Sequence, residues 1–398
     1  MLIIKNGNVL TMAGKEEPRV MDILVENGRI KKIGESLETP SNAEVVDATG
    51  KMVMPGIIDA HTHLGIFEEG SMNEGDDTNE LTGPITPELR ALDGINPYDE
   101  GIKDARLNGI TSVVTGPGSG NVIGGQSLAI KTFGTMIDEM VIKEPTGLKA
   151  AFGENPKRVY SGQNKSPSTR MATAALFRKA FYEAQEYMEK SSSSDKNNRN
   201  DSKKGEEKTG SLQKDFQKDI LVKALKKKMP IRAHAHRADD ILTAIRVARE
   251  FNLDLSIEHC TEGHKIAKVL KRFEVPAIVG PTMSARTKIE LREASFETPK
   301  IFYEEGVKFA IMTDHPVIPI YALPICAAMA VKAGLPRYEA IKAITIAAAE
   351  ITGIADRVGS IETGKDADII ICRGDILSVD PQLEHVFICG IDVLKEKK

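Results

Sequence analysis

Cysteine is scarce in this chain: Cys260, Cys326, Cys372 and Cys389 are the only four in 398 residues. None forms a Cys-x-x-Cys pair, and four are few for a chain of this length. The four read as free, buried thiols of a reducing cytoplasm. No run of apolar residues is long enough to span a bilayer, and the opening Met-Leu-Ile-Ile-Lys-Asn-Gly has no signal-peptide pattern. An excess of charge of one sign is also missing. Lys and Arg number 53 against 57 Asp and Glu, for a net charge of −4 and a pI near 6.1. Neither nucleic acid nor an acidic membrane surface is expected as a partner. Between residues 189 and 211 apolar side chains are absent altogether, and Ser191-Ser-Ser-Ser and Asn197-Asn-Arg-Asn fall there. That segment is expected to be a solvated, flexible loop.

What is present suits a soluble globular protein of about two domains: 41% hydrophobic and 28% charged residues. Both ends have β texture. Residues 1–55 hold short strand patterns with Asn-Gly at 6–7 and 27–28, a pair suited to hairpin turns. Residues 357–398 carry Asp368-Ile-Ile-Ile-Cys and His385-Val-Phe-Ile-Cys. The two ends are expected to complete one small β-sandwich. Between them, residues 56–356 alternate short apolar strands with amphipathic helices, the rhythm of parallel βα units. Eight strand candidates begin near Gly56, Thr111, Leu128, Leu148, Ile231, Leu255, Ala277 and Phe309. Eight is the number that closes a (β/α)₈ TIM barrel.

The chemistry gathers at the C-terminal ends of those strands. His61 and His63 end the first, His234 and His236 the fifth, His259 the sixth and Asp314 the eighth, while Glu154 follows the fourth. The period-2 alternation of a strand points both members of a His-x-His pair to one face. Active sites of such barrels lie at that end, so these residues converge. Imidazole and carboxylate donors in one cluster suit zinc or a similar divalent ion. The Gly-rich run 116–126 lacks the strand–GxGxxG–helix context and the Lys-Ser/Thr of a phosphate-binding loop, and reads as a tight loop at the barrel mouth.

Four motifs, Gly56-Ile-Ile-Asp-Ala-His-Thr-His-Leu, Ala233-His-Ala-His, Ile257-Glu-His-Cys and Thr313-Asp-His-Pro, resemble those of the amidohydrolase superfamily. Flanking them, Asp47-Ala-Thr-Gly-Lys-Met-Val-Met-Pro-Gly and Gly359-Ser-Ile-Glu-Thr-Gly-Lys-Asp-Ala-Asp look like the superfamily's sandwich signatures. The branch most similar is that of imidazolonepropionase and Xaa-Pro dipeptidases. The resemblance covers nearly the whole chain and implies a metal-dependent hydrolase with one or two ions, most often zinc. It places His61, His63 and Asp314 on one ion and His234 and His259 on a second. A bridging glutamate or carboxylated lysine between the ions would be Glu154 or, on the third strand, Lys131.

The resemblance further implies that Asp314 shuttles a proton from metal-activated water to the leaving nitrogen of a small amide, cyclic amide or dipeptide-like substrate. His236 shares the face of His234 and is expected to touch substrate. Arg158, Tyr160 and Arg237 are candidates to hold a substrate carboxylate. His264 is expected to be exposed, His385 to lie in the terminal sheet, and His315 to point away from the metal. Two competitors stand beside this reading. A deaminase or imidazolone-type enzyme would carry Glu three residues after His234, where Arg237 stands; Asp239 lies three after His236. A metal-free binding protein of the same fold would have lost the histidines or the aspartate, all of which are retained. A homo-oligomer is left open.

Overall fold

A computed structural model describes residues 1–14, 17–70, 73–201 and 214–395, with the backbone alone for 192–201. The barrel is an eight-stranded sheet in sequence order. Its strands are Ile57–Thr62, Ile110–Thr115, Ile123–Lys131, Val141–Ala151, Ile231–Ala235, Leu255–His259, Ala277–Val279 and Phe309–Ile311. The first and last strands are tied by Asp59, whose Oδ2 accepts from the backbone N–H of Thr313 at 3.0 Å and from its hydroxyl at 2.6 Å. Along the first strand, Ile58 and Ala60 pack with Ala348 and Ala349 of the helix Ile346–Thr352. The alternating Asp59 and His61 take the opposite face.

One strand departs from the expected pattern. Ile123–Lys131 runs antiparallel to both neighbours. The cause is chain length: only residues 116–122 join it to the preceding strand, and a parallel crossover needs about a dozen residues or more. The reversal sends Lys131 to the end of the barrel away from the histidines.

The second sheet draws on both termini, as expected. Its order is Ile391–Asp392, Leu383–Ile388, Ile369–Cys372, Met52–Pro55, Leu2–Val9, Arg19–Glu26 and Arg29–Gly34, with Glu44–Asp47 alongside Leu2–Val9. Ile369–Cys372 pairs antiparallel with Met52–Pro55, which joins the ends of the chain. Leu2, Ile4, Ile23, Val53, Ile369 and Phe387 form its core. Asn27 and Gly28 both have positive φ (51° and 74°), the backbone of a tight hairpin turn. Asn6-Gly7 is different: it marks a register shift inside the first strand, a bulge rather than a turn. A Cβ on Gly7 would stand 2.5 Å from Val53 Cγ2.

The polar stretch beginning at 189 also departs from expectation. The helix Arg170–Asp201 continues through its first part, and 202–211 lie outside the described residues. Once an amphipathic segment has nucleated a helix, each added residue gains a backbone hydrogen bond, so polar residues extend it without burying anything. Among the described residues no helix is long and apolar enough to cross a membrane.

Candidate metal centre

Five imidazoles and one carboxylate meet at the mouth of the barrel. The ring centroids of His61 and His63 lie 5.2 Å apart, His61 and His259 5.4 Å, His234 and His259 4.3 Å, and His236 and His259 4.5 Å. Potential donor atoms form two sets, His61–His63–Asp314 and His234–His236–His259, each with its atoms within 4.8 Å of one another. Asp314 Oδ1 is 3.1 Å from His61 Nε2 and 3.5 Å from His63 Nε2. His259 and Asp314 both hold left-handed backbone, with φ of 71° and 57°. Such conformations are uncommon for side chains of this kind and collect at functional sites.

Four of the five rings are turned by a second contact. Nδ1 of His63 meets the Gly116 carbonyl at 2.7 Å and Nδ1 of His259 the Gly280 carbonyl at 3.1 Å. Nδ1 of His236 meets Thr261 Oγ1 at 2.8 Å, and Nδ1 of His61 meets Glu258 Oε1 at 3.0 Å. In this arrangement Nδ1 carries the proton and Nε2 is left as a donor to an ion, which is how metal-binding histidines are oriented. His234 Nδ1 is buried without a hydrogen-bond partner among the described residues. Burial, aided by neighbouring charges, holds His234 well below the usual imidazole pKa and pushes His236 down to about 3. For His259, burial outweighs the attraction of Asp314, and its pKa also falls well below the usual value. Neutral rings are the metal-binding form. Burial opposes ionisation of Asp314, but the imidazoles of His259, His61 and His63 hold its carboxyl well below the ordinary range. Three imidazoles held neutral, an ionised carboxylate and an orphaned ring nitrogen fit a divalent cation.

Two buried groups had no place in the sequence reading. Lys149, on the fourth barrel strand, pairs with Glu258, and its charge adds to burial in keeping His234, His236 and His259 low; at His61 burial and Lys149 are outweighed by Glu258 and Asp314, and its pKa rises. Glu258 also accepts from Arg232 Nε at 2.7 Å, and Arg232 Nη2 donates to the Ala60 carbonyl at 2.6 Å. The other group is Glu290, on the segment after the seventh strand. Its Oε1 is buried without a hydrogen bond, 3.8 Å from His236 Nε2 and 4.0 Å from His234 Nε2. A lone charge within an apolar strand is a legible signal, and Lys149 and Glu258 carry it; Glu290 sits in a segment with no periodic pattern.

The remaining expected residues divide. Glu154 belongs to neither donor set. Its backbone N–H donates to Glu290 Oε2, while the neighbouring Asn155 reaches Ser119 Oγ at 2.7 Å and His234 Nε2 at 3.4 Å. Lys131 lies at the other end of the barrel with Asp368 (2.7 Å) and Asp366 (3.1 Å), so it is no candidate bridge. Arg158 lines the cavity in front of the histidines, a space of about 660 Å³ shared with His63, His236, Asn155, Lys288 and Asp314. Tyr160 is fully buried, its hydroxyl donating to the Gly83 carbonyl at 2.7 Å, and Arg237 pairs with Asp239 near the surface. Neither lines the cavity. His315 accepts from the Ile320 N–H, His264 is half-buried against Thr298, and His385 pairs with Asp392 in the terminal sheet. Gly118 and Ser119 of the Gly-rich run form part of the cavity wall.

Residues 52–391 match the sequence family described as the amidohydrolase family. The fold superposes on the crystal structure of an amidohydrolase from Thermotoga maritima MSB8 with a TM-score of 0.91 and 44% identity, covering 99% of each chain. An amidohydrolase from Hapsidospora irregularis, tasK, is 31% identical over 93% of this chain; the match spans 39% of that longer relative. A Xaa-Pro dipeptidase with methionine bound in its active site shares the fold, with a TM-score of 0.58, 18% identity and coverage of 98% and 99%.

Proposed function

The chain belongs to the amidohydrolase family, and from that premise we propose an enzyme of carbon–nitrogen bonds: a divalent-metal hydrolase of a small-molecule amide, with Asp314 as proton shuttle. The observation that carries this reading is the pair of donor sets around one cavity. His61, His63 and Asp314 would hold one ion, and His234, His236 and His259 a second, with zinc the ion best suited to nitrogen and carboxylate donors. Lys149, buried on the fourth barrel strand, would join the residues holding the ions if its neutral amine combined with carbon dioxide to give a carbamate and a proton, in place of Glu154 or Lys131. A bound ion supplies Lewis acidity, lowering the pKa of water from about 15.7 toward about 7 and polarising a carbonyl oxygen.

The protein's own part is proton traffic and alignment. Asp314 lines the cavity and is held ionised by three imidazoles. It takes one proton from the attacking water as the new C–O bond forms, and gives it to the leaving nitrogen as the C–N bond breaks. Glu258, Thr261 and the Gly116 and Gly280 carbonyls keep the imidazoles from rotating. The products are a carboxylate and an amine. Glu290 is the one feature favouring deamination, because it is a buried carboxylate beside His234 and His236. It is not part of the cavity wall, where proton transfer to a ring nitrogen requires it. A screen of amides and heterocycles with product analysis tests the reading. Amine release supports hydrolysis, whereas ammonia release from an intact ring, far faster than any amide cleavage, would sink it.

A further inference from the structure

One buried carboxylate beside the histidines has an oxygen with no partner. Glu290 lies between the seventh and eighth barrel strands, and its side chain is 1% exposed. Oε2 is anchored by the backbone N–H of Glu154 at 3.1 Å. Gly153 makes room for it, with φ of 94° and a Cβ position that would stand 3.0 Å from Oε2. Oε1 receives no hydrogen bond among the described residues. It lies 3.8 Å from His236 Nε2, 4.0 Å from His234 Nε2 and 3.8 Å from Lys288 Nζ, all beyond hydrogen-bond length. The Lys288 ammonium donates instead to Asn155 Oδ1 at 2.7 Å. Native structures seldom leave a buried carboxylate oxygen without a donor, and a bound water or ion is the usual explanation.

The chemistry of the gap decides between water and ion. His236 Nδ1 meets Thr261 Oγ1, which leaves Nε2 with its lone pair toward Glu290. Asn155 Nδ2 faces His234 Nε2 at 3.4 Å, which marks that nitrogen as an acceptor too. Two imidazole lone pairs and a carboxylate oxygen are matched by a cation better than by a water, which has one hydrogen too few. The spacing agrees. Two donors on one zinc ion, each at about 2.0–2.2 Å, stand between ~3 Å apart at right angles and ~4.4 Å apart when opposite. Resting on the metal-centre reading above, we infer that Glu290 is a ligand of the second ion and completes, with His234, His236 and His259, a set of four protein donors. The set His61–His63–Asp314 is one donor shorter, so the open position that a reacting water needs lies at the first ion, beside Asp314. A carbamate on Lys149 shared by both ions would leave that difference unchanged. The second ion ties the segment carrying Glu290 to the ends of the fifth and sixth strands.

The test is equilibrium zinc binding to metal-stripped protein, read by competition with a chelating dye, in wild type, Glu290→Gln and Lys288→Met. Glu290→Gln keeps the side-chain size and an acceptor for the Glu154 N–H but removes the charge. Wild type should take up two ions. In Glu290→Gln one of them should weaken by at least the ~10–100-fold that follows loss of an outer partner of a metal site, and the other should stay. Lys288→Met removes the cation nearest Oε1 and should bind zinc at least as tightly as wild type. The rise in melting temperature on adding zinc should shrink in Glu290→Gln, because an ion bound less tightly stabilises the fold less. A merely structural Glu290 would lower the melting temperature with and without zinc alike and keep the full zinc-induced rise. That result, unchanged affinity for every ion in Glu290→Gln, or an equal loss in Lys288→Met would overturn the inference and leave the metal centre standing. A wild type that takes up no zinc would refute the metal centre itself.

Discussion

In metal-free protein, where Lys149 carries an ammonium rather than a carbamate, replacing Glu258 with glutamine removes one negative charge from a fully buried site and leaves two cations facing a neutral amide. Glu258 receives Arg232 Nε at 2.7 Å, the Lys149 ammonium and His61 Nδ1 at 3.0 Å, and its side chain is inaccessible to solvent. Burial raises the cost of its charge, yet His61, Lys149 and Arg232 together hold its carboxyl well below the ordinary range. The amide oxygen of Gln can satisfy one donor, and its NH₂ opposes the next. Breaking a buried pair in this way costs about 3–5 kcal/mol. A second effect follows at the metal, because His61 loses the acceptor that fixes its tautomer, and such losses reduce metal affinity by about 10–100-fold. The chain has no tryptophan, so unfolding is best followed in urea by far-ultraviolet circular dichroism, with metal affinity measured separately by competition with a chelator. The double variant Glu258→Gln/Lys149→Met should recover part of the lost stability, since it removes one of the stranded cations. A Glu258→Gln protein within 1 kcal/mol of wild type, with unchanged metal affinity, would refute the reasoning.

Asp314→Asn keeps the side-chain size but cannot accept a proton; the fold should survive and turnover should fall by at least the ~10²–10⁴ of lost general acid–base catalysis. Full activity in that variant would remove Asp314 from the mechanism. Lys149→Met should lower bound metal from two ions per chain to one or none, and retention of both would exclude it as the bridge. Lys131→Met should destabilise the protein by about 3–5 kcal/mol through the stranded Asp368, while Asp366 keeps Arg357, and should leave metal content unchanged; a variant that loses metal instead would return Lys131 to the metal site. The same junction predicts acid sensitivity. Burial opposes the charge of Asp366, but Lys131 and Arg357 depress its carboxyl overall, so its contribution is present above the ordinary carboxylate pKa near ~4 and is lost as pH falls through the lower folded value. Denaturation midpoints measured from pH 6 down to about 3 should fall more in wild type than in Asp366→Asn, and parallel curves would contradict this.

The terminal sheet and the five converging histidines were legible in the sequence for one physical reason: strand alternation puts His-x-His on one face, and strand ends are where apolar patterns stop. Other features depended on quantities that pattern alone does not carry. The third barrel strand is recognisable as a strand, but its direction follows from the short connection 116–122, and with it the removal of Lys131 from the mouth. Lys149 and Glu258 stand out as charges within Leu-Lys-Ala-Ala and Leu-Ser-Ile-Glu-His, yet a charge in a strand does not announce its partner. Tyr160 and Arg237 share the chemistry of Arg158 but not its placement: one is buried against the Gly83 carbonyl, the other engaged by Asp239 two residues away. Lys288 and Glu290 belong to a stretch without helix or strand period, and only tertiary packing brings them to His236.

The central claim is that this cluster is a metal centre that drives hydrolysis. The most direct measurement is the metal content of protein purified without chelator, taken together with amide turnover before and after chelation and re-addition of zinc. The account predicts one or two divalent ions per chain, lost turnover on their removal, recovery on their return, and release of an amine rather than ammonia. A well-folded protein that binds no divalent ion at micromolar concentration, or that cleaves its amide equally well without one, would contradict it.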